Sequence, residues 1–299
     1  NRQLVATHKI DGNSLSLIFE NGELNSGRTR GNGVYGENVT EKIKWLQNCP
    51  RSINIKLPNG QKPESYKIEI RGEVYCTQDN FFALIETMKN YNLELPKNPR
   101  NIVAGILGRK KHTHLSRFFS FFAFDLKVYT SEIFFLSEVD KYKWLINAGF
   151  SPPNFKLLST DKQTLSYLDT VKKEIEQSKY AIDGVVFTYN STNLHKELGS
   201  TAHHPRYKMS FKWQGVSAQT QIKDIVWSTS RLGVVTPVAQ VEPITLSGAK
   251  ISNVTLHNAG FVKLHNIKVG DQIEIVRSGE VIPKFLQVTN SVEGNFYLP

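Results

Sequence analysis

Lys9-Ile10-Asp11-Gly12 closes an apolar, alternating stretch that begins at Leu4. The stretch reads as a β-strand, and the Asp-Gly pair marks the point where the backbone must turn. A second pair, Asp183-Gly184, lies inside another apolar run, 181–189, which reads as a buried strand. Between them, Arg71-Gly72-Glu73 sits on an alternating stretch, 66–76. Beyond them, Lys212 is flanked by Phe211 and Trp213 on a short strand, 209–213. Carboxylates and lysines are thus predicted on several strands of one domain.

Working outward, 14–19 and 23–30 read as a hairpin with Asn21-Gly22 at its turn. Gly31-Asn32-Gly33 and Gly36 make a glycine-rich loop before a predicted helix, 38–46. Thr77 caps a helix carrying Phe81, Leu84 and Met88. The aromatic runs 118–124 and 133–136 read as strands, and 137–148 as a helix closed by Gly149. Thr160 with Gln163 has the pattern of a capping box before a further helix. Composition shifts near 215–220. After it come short strand runs at 224–227, 234–241, 251–256 and 272–277. They predict a small all-β barrel of OB-fold size, a shape that often holds nucleic acid. The expected domains are 1–215 and 216–299.

The chain has 299 residues, with 37 Lys and Arg against 27 Asp and Glu. The net charge of +10 favours a polyanionic partner, although solubility alone also accounts for a basic surface. Two cysteines exclude a disulfide scaffold and a four-cysteine zinc site within this chain. Reduced thiols and an intracellular setting are the expectation. No apolar run approaches the ~18 residues of a membrane span. The first residue is Asn1, so the numbering is expected to start inside a longer chain or in a trimmed one.

A lysine amine attacks phosphorus only when deprotonated, and its free pKa is about 10.4. A neighbouring cation or desolvation brings that value down. Lys9 at a strand end beside Asp11-Gly12 suits such a nucleophile, and the product would be a phosphoramidate with a nucleotide. Glu73 and Asp183 suit Mg²⁺, ribose or lysine contacts. Arg30, Arg71, Arg100, Lys208 and Lys212 suit phosphates. Singly, each is also an ordinary surface or salt-bridged residue. Their combination reads as a nucleotidyltransferase site.

The motifs resemble those of the NAD⁺-dependent DNA ligases. The resemblance runs through His8-Lys9-Ile10-Asp11-Gly12, Gly27-Arg28-Thr29-Arg30-Gly31-Asn32-Gly33, Ile70-Arg71-Gly72-Glu73-Val74, Asn98-Pro99-Arg100-Asn101, Ile182-Asp183-Gly184-Val185-Val186 and Phe211-Lys212. It continues in the barrel through Ser230-Arg231-Leu232-Gly233, Thr255-Leu256-His257-Asn258 and Arg277-Ser278-Gly279-Glu280-Val281-Ile282-Pro283. It implies an α+β fold: an adenylation domain of antiparallel sheets with flanking helices, followed by an OB barrel. It implies that Lys9 takes AMP from NAD⁺, that AMP passes to a 5′-phosphate of nicked duplex DNA, and that the 3′-OH displaces it. Asp11 would assist Lys9. Arg30, Glu73, Lys212 and Thr7 would line the nucleotide site, with Glu73 on the ribose and Lys212 on the α-phosphate. Asp183 would hold Mg²⁺. Arg100, Arg206, Arg231 and Arg277 would meet nucleotide phosphate or the DNA backbone. A monomer is expected, with no membrane partner and no zinc site in this chain, acting in the cytoplasm, the nucleoid or a viral replication site.

The chain departs from the family pattern at three places, one of them Gly108, with Arg109 beside it, where the family carries an arginine shortly after the Asn-Pro-Arg segment. Where the family carries an adenine-contacting Glu, two residues before the nucleophile, this chain has Thr7. Where it carries a lysine five residues after the second Asp, this chain has Thr188, with Lys179 and Lys208 as candidates to supply the missing charge. The family's segment for the nicotinamide mononucleotide half of NAD⁺ would precede Asn1, and its zinc, helix-hairpin-helix and BRCT modules would follow Pro299. The chain as given is therefore expected to react poorly with NAD⁺. An RNA or ATP-using polynucleotide ligase on the same core, and a catalytically weak nick-binding paralogue, are the alternative readings.

Overall fold

The computed structural model describes residues 3–31, 35–54, 65–96, 98–129, 135–175, 177–201, 204–213, 215, 217–246, 249–278 and 282–294. Its chain divides into two compact units, Asn1–Lys212 and Trp213–Pro299. The first contains, in order, β1 (Leu4–Ile10), β2 (Asn13–Glu20), β3 (Glu23–Thr29), α1 (Thr40–Ile43), β4 (Lys67–Tyr75), α2 (Gln78–Asn90), α3 (Pro99–Gly108), β5 (Ser120–Val128), α4 (Glu138–Asn147), β6 (Phe155–Leu158), α5 (Asp161–Ile175), β7 (Ile182–Tyr189), α6 (Thr192–Leu198) and β8 (Lys208–Phe211). The second contains β9 (Ser217–Thr229), β10 (Val235–Leu246), β11 (Ala249–Thr255), α7 (Ala259–Leu264), β12 (Gln272–Ser278) and β13 (Ile282–Asn290).

The first unit is built on two antiparallel sheets, ordered β6-β1-β7-β8 and β3-β2-β4-β5. Successive side chains alternate between the faces of a strand, and residues opposed in a ladder share a face. Leu15, Leu17 and Phe19 of β2, Ile68, Ile70 and Val74 of β4, and Phe121 and Ala123 of β5 are all buried on one face. They share a core with Phe81, Leu84 and Met88 of α2 and Ile102, Val103 and Ile106 of α3. The register puts Ser14, Ser16, Arg71, Glu73, Phe122 and Asp125 on the opposite, polar face. In the other sheet, Val5, Thr7 and Lys9 share a face with Gly184, Val186 and Thr188, while His8 points away to Glu174 of α5, 3.1 Å distant.

Side-chain caps fix the starts of three helices. The Thr77 side chain accepts from the Asn80 N–H and the Ser137 side chain from the Asp140 N–H. Asn98 caps α3 by accepting from Asn101 N–H, and Pro99 follows at the first helical position, where its missing N–H costs nothing. Asn98-Pro99-Arg100 is thus a helix start that places an arginine in the first turn.

The second unit is a closed five-stranded barrel, β10-β11-β13-β12-β9, antiparallel except at β11/β13. Ile222, Ala239, Val254, Ile273, Ile275 and Phe285 fill it, with Val262 of α7 beneath.

Local differences from the sequence reading have physical causes. The helix expected over 38–46 is a single turn, Thr40–Ile43, because the preceding chain is tied to β3 through Val39 N–H to the Gly27 carbonyl and Gly27 N–H to Thr40. The aromatic strand expected at 118–124 starts at Ser120, after a 3-10 turn over Thr113–Phe118. The strand expected at 133–136 falls largely outside the described residues. In the barrel, β9 and β10 run 13 and 12 residues, longer than the apolar runs in them, because a strand curling round a small barrel bulges and changes face, as at Gln240/Val241.

Candidate active site

The two Asp-Gly pairs meet because β1 and β7 are neighbours. Lys9 pairs with Gly184, and a register shift follows between Lys9 and Ile10. Both glycines answer a close backbone approach. A Cβ on Gly184 would lie 2.1 Å from the Phe211 carbonyl oxygen, and one on Gly12 would lie 2.2 Å from that of Val74. Any larger residue would force the strands apart.

The packing brings Lys9 onto Asp183, 174 residues away: Lys9 Nζ stands 2.9 and 3.0 Å from the two carboxylate oxygens. Lys212, following β8, donates to Asp183 Oδ2 at 2.9 Å. One nearly buried carboxylate is therefore bracketed by two ammonium groups that remain open to solvent. Asp11 is buried, and Arg100 Nη1 of α3 lies 2.5 Å from its Oδ1. The Asn13 amide donates to the Arg100 carbonyl at 3.4 Å, tying the start of α3 to β2.

Glu73 completes the cluster. Burial pushes its carboxyl from the ordinary 4.5 up to about 7; the charges of Asp11 and Asp183 push the same way, and Lys9 and Arg100 pull it down. Glu73 thus lies within the field of all four of these residues and holds a proton close to neutrality. A carboxyl in that condition can give or take a hydrogen bond according to what binds beside it.

The other candidates are spread more widely. Thr7 is buried and hydrogen-bonds the Tyr142 hydroxyl of α4, which itself donates to the Phe124 carbonyl at 3.2 Å. Thr188 is buried and faces Lys208 across the β7/β8 ladder. Lys179 sits apart, its carbonyl accepting from Gln78 N–H at the start of α2. Arg71 pairs with Glu69 at 2.8 Å on the polar face. Arg30 and Arg206 are exposed in the first unit, and Arg231 is exposed in the turn between β9 and β10. The side chain of Arg277 lies outside the described residues. Among the described residues, no group of three or more His, Cys, Asp and Glu is arranged to hold a metal ion.

The sequence reading passed over Asp125, Glu138 and Lys141. Lys141 Nζ lies 2.6 Å from Asp125 and 2.9 Å from Glu138, which is almost wholly buried. A carboxylate inside the aromatic run Phe121-Phe122-Ala123-Phe124-Asp125-Leu126 was the available signal, since such a charge stays in a strand only when paired.

Comparison with known proteins follows these features closely. The family described as NAD-dependent DNA ligase adenylation domain matches residues 1–216, and that described as NAD-dependent DNA ligase OB-fold domain matches 219–295. A DNA ligase of Chlorobium phaeobacteroides is 35% identical over 292 residues, covering 96% of this chain and 42% of that protein. A DNA ligase of Mycoplasmopsis pulmonis is 33% identical over 309 residues, covering 100% of this chain and 43% of that protein. The chain spans less than half the length of these curated relatives. Among solved structures, one from a study of Lig E DNA ligases superposes with a TM-score of 0.57 at 13% identity, covering 95% of this chain and 92% of that one, a likeness of fold.

The raised Glu73 carboxyl has a consequence for stability. Between pH 4.5 and about 7 the native state keeps a proton that the unfolded chain has lost. Glu73 therefore lowers stability progressively as pH rises through that window. Glu73→Gln removes the titration. Its stability relative to the parent is expected to be level near pH 4.5 and to rise to a gain of at most on the order of 3 kcal/mol above pH 7. Urea midpoints of both proteins across that range check it. A gap that stays constant with pH would mean that Glu73 ionises normally.

Proposed function

Because the chain belongs to the NAD-dependent DNA ligases through both its adenylation and its OB-fold domains, we propose that it seals nicks in duplex DNA with NAD⁺ as the donor of AMP. The Asp183 carboxylate bracketed by Lys9 and Lys212 is the observation that carries this reading. Lys9 gives up a proton, for which Asp183 is the nearest acceptor. Its free amine attacks the α-phosphorus of the AMP half. The bond to the mononucleotide phosphate breaks, and nicotinamide mononucleotide leaves with the bonding pair. Lys212, drawn toward the same place by Asp183, meets the charge that builds on the α-phosphate oxygens. Glu73 on the polar face accepts a ribose hydroxyl once it has lost its own proton.

In the second step the 5′-phosphate of the nick attacks the same phosphorus and Lys9 leaves as an amine. In the third, the 3′-OH attacks the adenylated phosphate and AMP departs. Asp11, two residues after Lys9 and held by Arg100, would assist the lysine and contact the nick end. Mg²⁺ usually keeps its waters and binds through one or two carboxylates plus substrate phosphates, a mode that the Asp183 and Glu73 cluster fits without a preformed cage. Asp183 would hold it there, and it would supply charge neutralisation at phosphate. The basic balance of +10 suits duplex DNA as the partner. No described helix is long and apolar enough to cross a membrane. We take the protein to act as a monomer in the cytoplasm or nucleoid.

Lys9 serves only to load AMP, so its removal separates the steps. Given excess enzyme and a long incubation, the parent is expected to seal a 5′-phosphorylated nick with NAD⁺ and Mg²⁺, at the poor rate expected of this chain, and Lys9→Ala is expected not to seal it at all. Both are expected to seal a nick that already carries AMP on its 5′-phosphate. A Lys9→Ala protein that seals the unadenylated nick would remove Lys9 from the reaction. The exposed Arg231 is assigned to the DNA backbone. Arg231→Ala is expected to weaken nick binding whatever the sequence and to flatten the slope of log K against log salt by about 0.9, one phosphate contact. An unchanged slope would make Arg231 a structural turn residue.

A further inference from the structure

Lys208 and Asp125 form a second charged pair, and it spans the two sheets. Lys208 lies on the face of β8 that, by register, continues through Thr188, Val186 and Gly184 to Val5, Thr7 and Lys9. Asp125 lies on the polar face of the other sheet, opposite Arg71, two β4 residues along from Glu73. Lys208 precedes Lys212 by four residues, ~13 Å along a strand. That is comparable with the length of a mononucleotide from phosphate to base. With Lys9, Asp183 and Lys212 gathered at one end, Lys208 and Asp125 stand where a base would reach.

The pair is incompletely joined. Asp125 Oδ1 accepts from Lys141 Nζ at 2.6 Å and from its neighbour Leu126 N–H at 2.9 Å. Lys208 Nζ is 3.6 Å from Oδ2, too far for a hydrogen bond. The two side chains keep 20% and 23% of their surface open. Burial alone would raise the Asp125 carboxyl, but Lys208 and Lys141 outweigh it and hold it well below the usual carboxylate range. It is an acceptor only. Meanwhile Thr7 and Thr188, at the positions where a family resemblance leads one to expect Glu and Lys, are buried and uncharged, and Thr7 is occupied with Tyr142. Lys208 faces Thr188 one strand over, and Asp125 stands on the other sheet.

We propose that Asp125 and Lys208 read the edge of the adenine base, Asp125 Oδ2 accepting from the exocyclic amine and Lys208 donating to the adjacent ring nitrogen. Lys141 positions Asp125, and Glu138 anchors Lys141. The assignment rests on the nucleotidyl-transfer reading of Lys9.

Hypoxanthine presents the reverse pattern at the same two atoms, an oxygen in place of the amine and an N–H in place of the ring acceptor. The test is single-turnover transfer to Lys9, followed by intact mass, from NAD⁺ and from its hypoxanthine analogue. The parent is expected to prefer NAD⁺ by at least about tenfold, since a site built to hydrogen-bond one pattern rejects the other. Asp125→Asn, whose amide can donate to the hypoxanthine oxygen, is expected to bring the preference within about threefold. Lys208→Met is also expected to lower it, and serves should Asp125→Asn fail to fold. A general loss of stability slows both donors alike and leaves the ratio in place. A parent that carries nucleotide on Lys9 while both variants keep the adenine preference overturns the base-edge assignment alone. A parent that never labels Lys9 overturns the transfer reading, and this one with it.

Discussion

The antiparallel pairing of β1 with β7 is the constraint on which the site depends. It sets Lys9 opposite Gly184 and places the amine within 3.0 Å of Asp183. Glycine is required there because the Phe211 carbonyl occupies the space of a side chain. That same close approach of β8 delivers Lys212 to the other side of Asp183. The motif residues are therefore coupled through backbone geometry: the glycines let three strands crowd together, and the crowding gathers the charges. A slip of one residue in this register would turn Lys9 to the opposite face, toward α5.

Electrostatics then divides the charged residues of the two sheets into two clusters. Around Lys9, three carboxyl groups share a confined space with Lys9, Lys212 and Arg100. Asp11 and Asp183 are matched by cations at hydrogen-bond distance, and Glu73 is the group left to hold a proton. In the other cluster, Asp125 faces Lys141 and Lys208, and Glu138 backs Lys141. The first cluster suits phosphate chemistry, since its cations gather where charge develops. The second suits recognition, since its acceptor and donor are fixed by packing and still partly exposed.

Much of the first cluster was legible in the sequence because it lies in short, glycine-punctuated strands. Lys9, Asp11, Glu73, Asp183 and Lys212 each stand next to or within a motif whose residue types state their own geometry. The hairpin at Asn21-Gly22 and the cap at Thr77 were legible for the same reason, being local. Of the second cluster, the sequence singled out Lys208 alone. Asp125, Glu138, Lys141 and Lys208 come from three separate elements, and only strand register shows that Lys208 stands opposite Thr188. The two threonines marked a departure in sequence, while the approach of Lys208 to Asp125 is a tertiary fact. Four of the five barrel strands were legible as strands, β9 and β10 too short because curling changes which face a residue occupies, and β13 was not read as a strand.

The central claim is that Lys9 is the residue made covalent by this geometry. Its most direct test is the intact mass of the purified chain after incubation with NAD⁺ and Mg²⁺, with peptide mapping of any adduct. The account predicts an increment of one AMP, located on Lys9 and removed when nicotinamide mononucleotide is added back. An adduct on any other residue, or a chain that gains no mass under conditions where it binds the nucleotide, would contradict it.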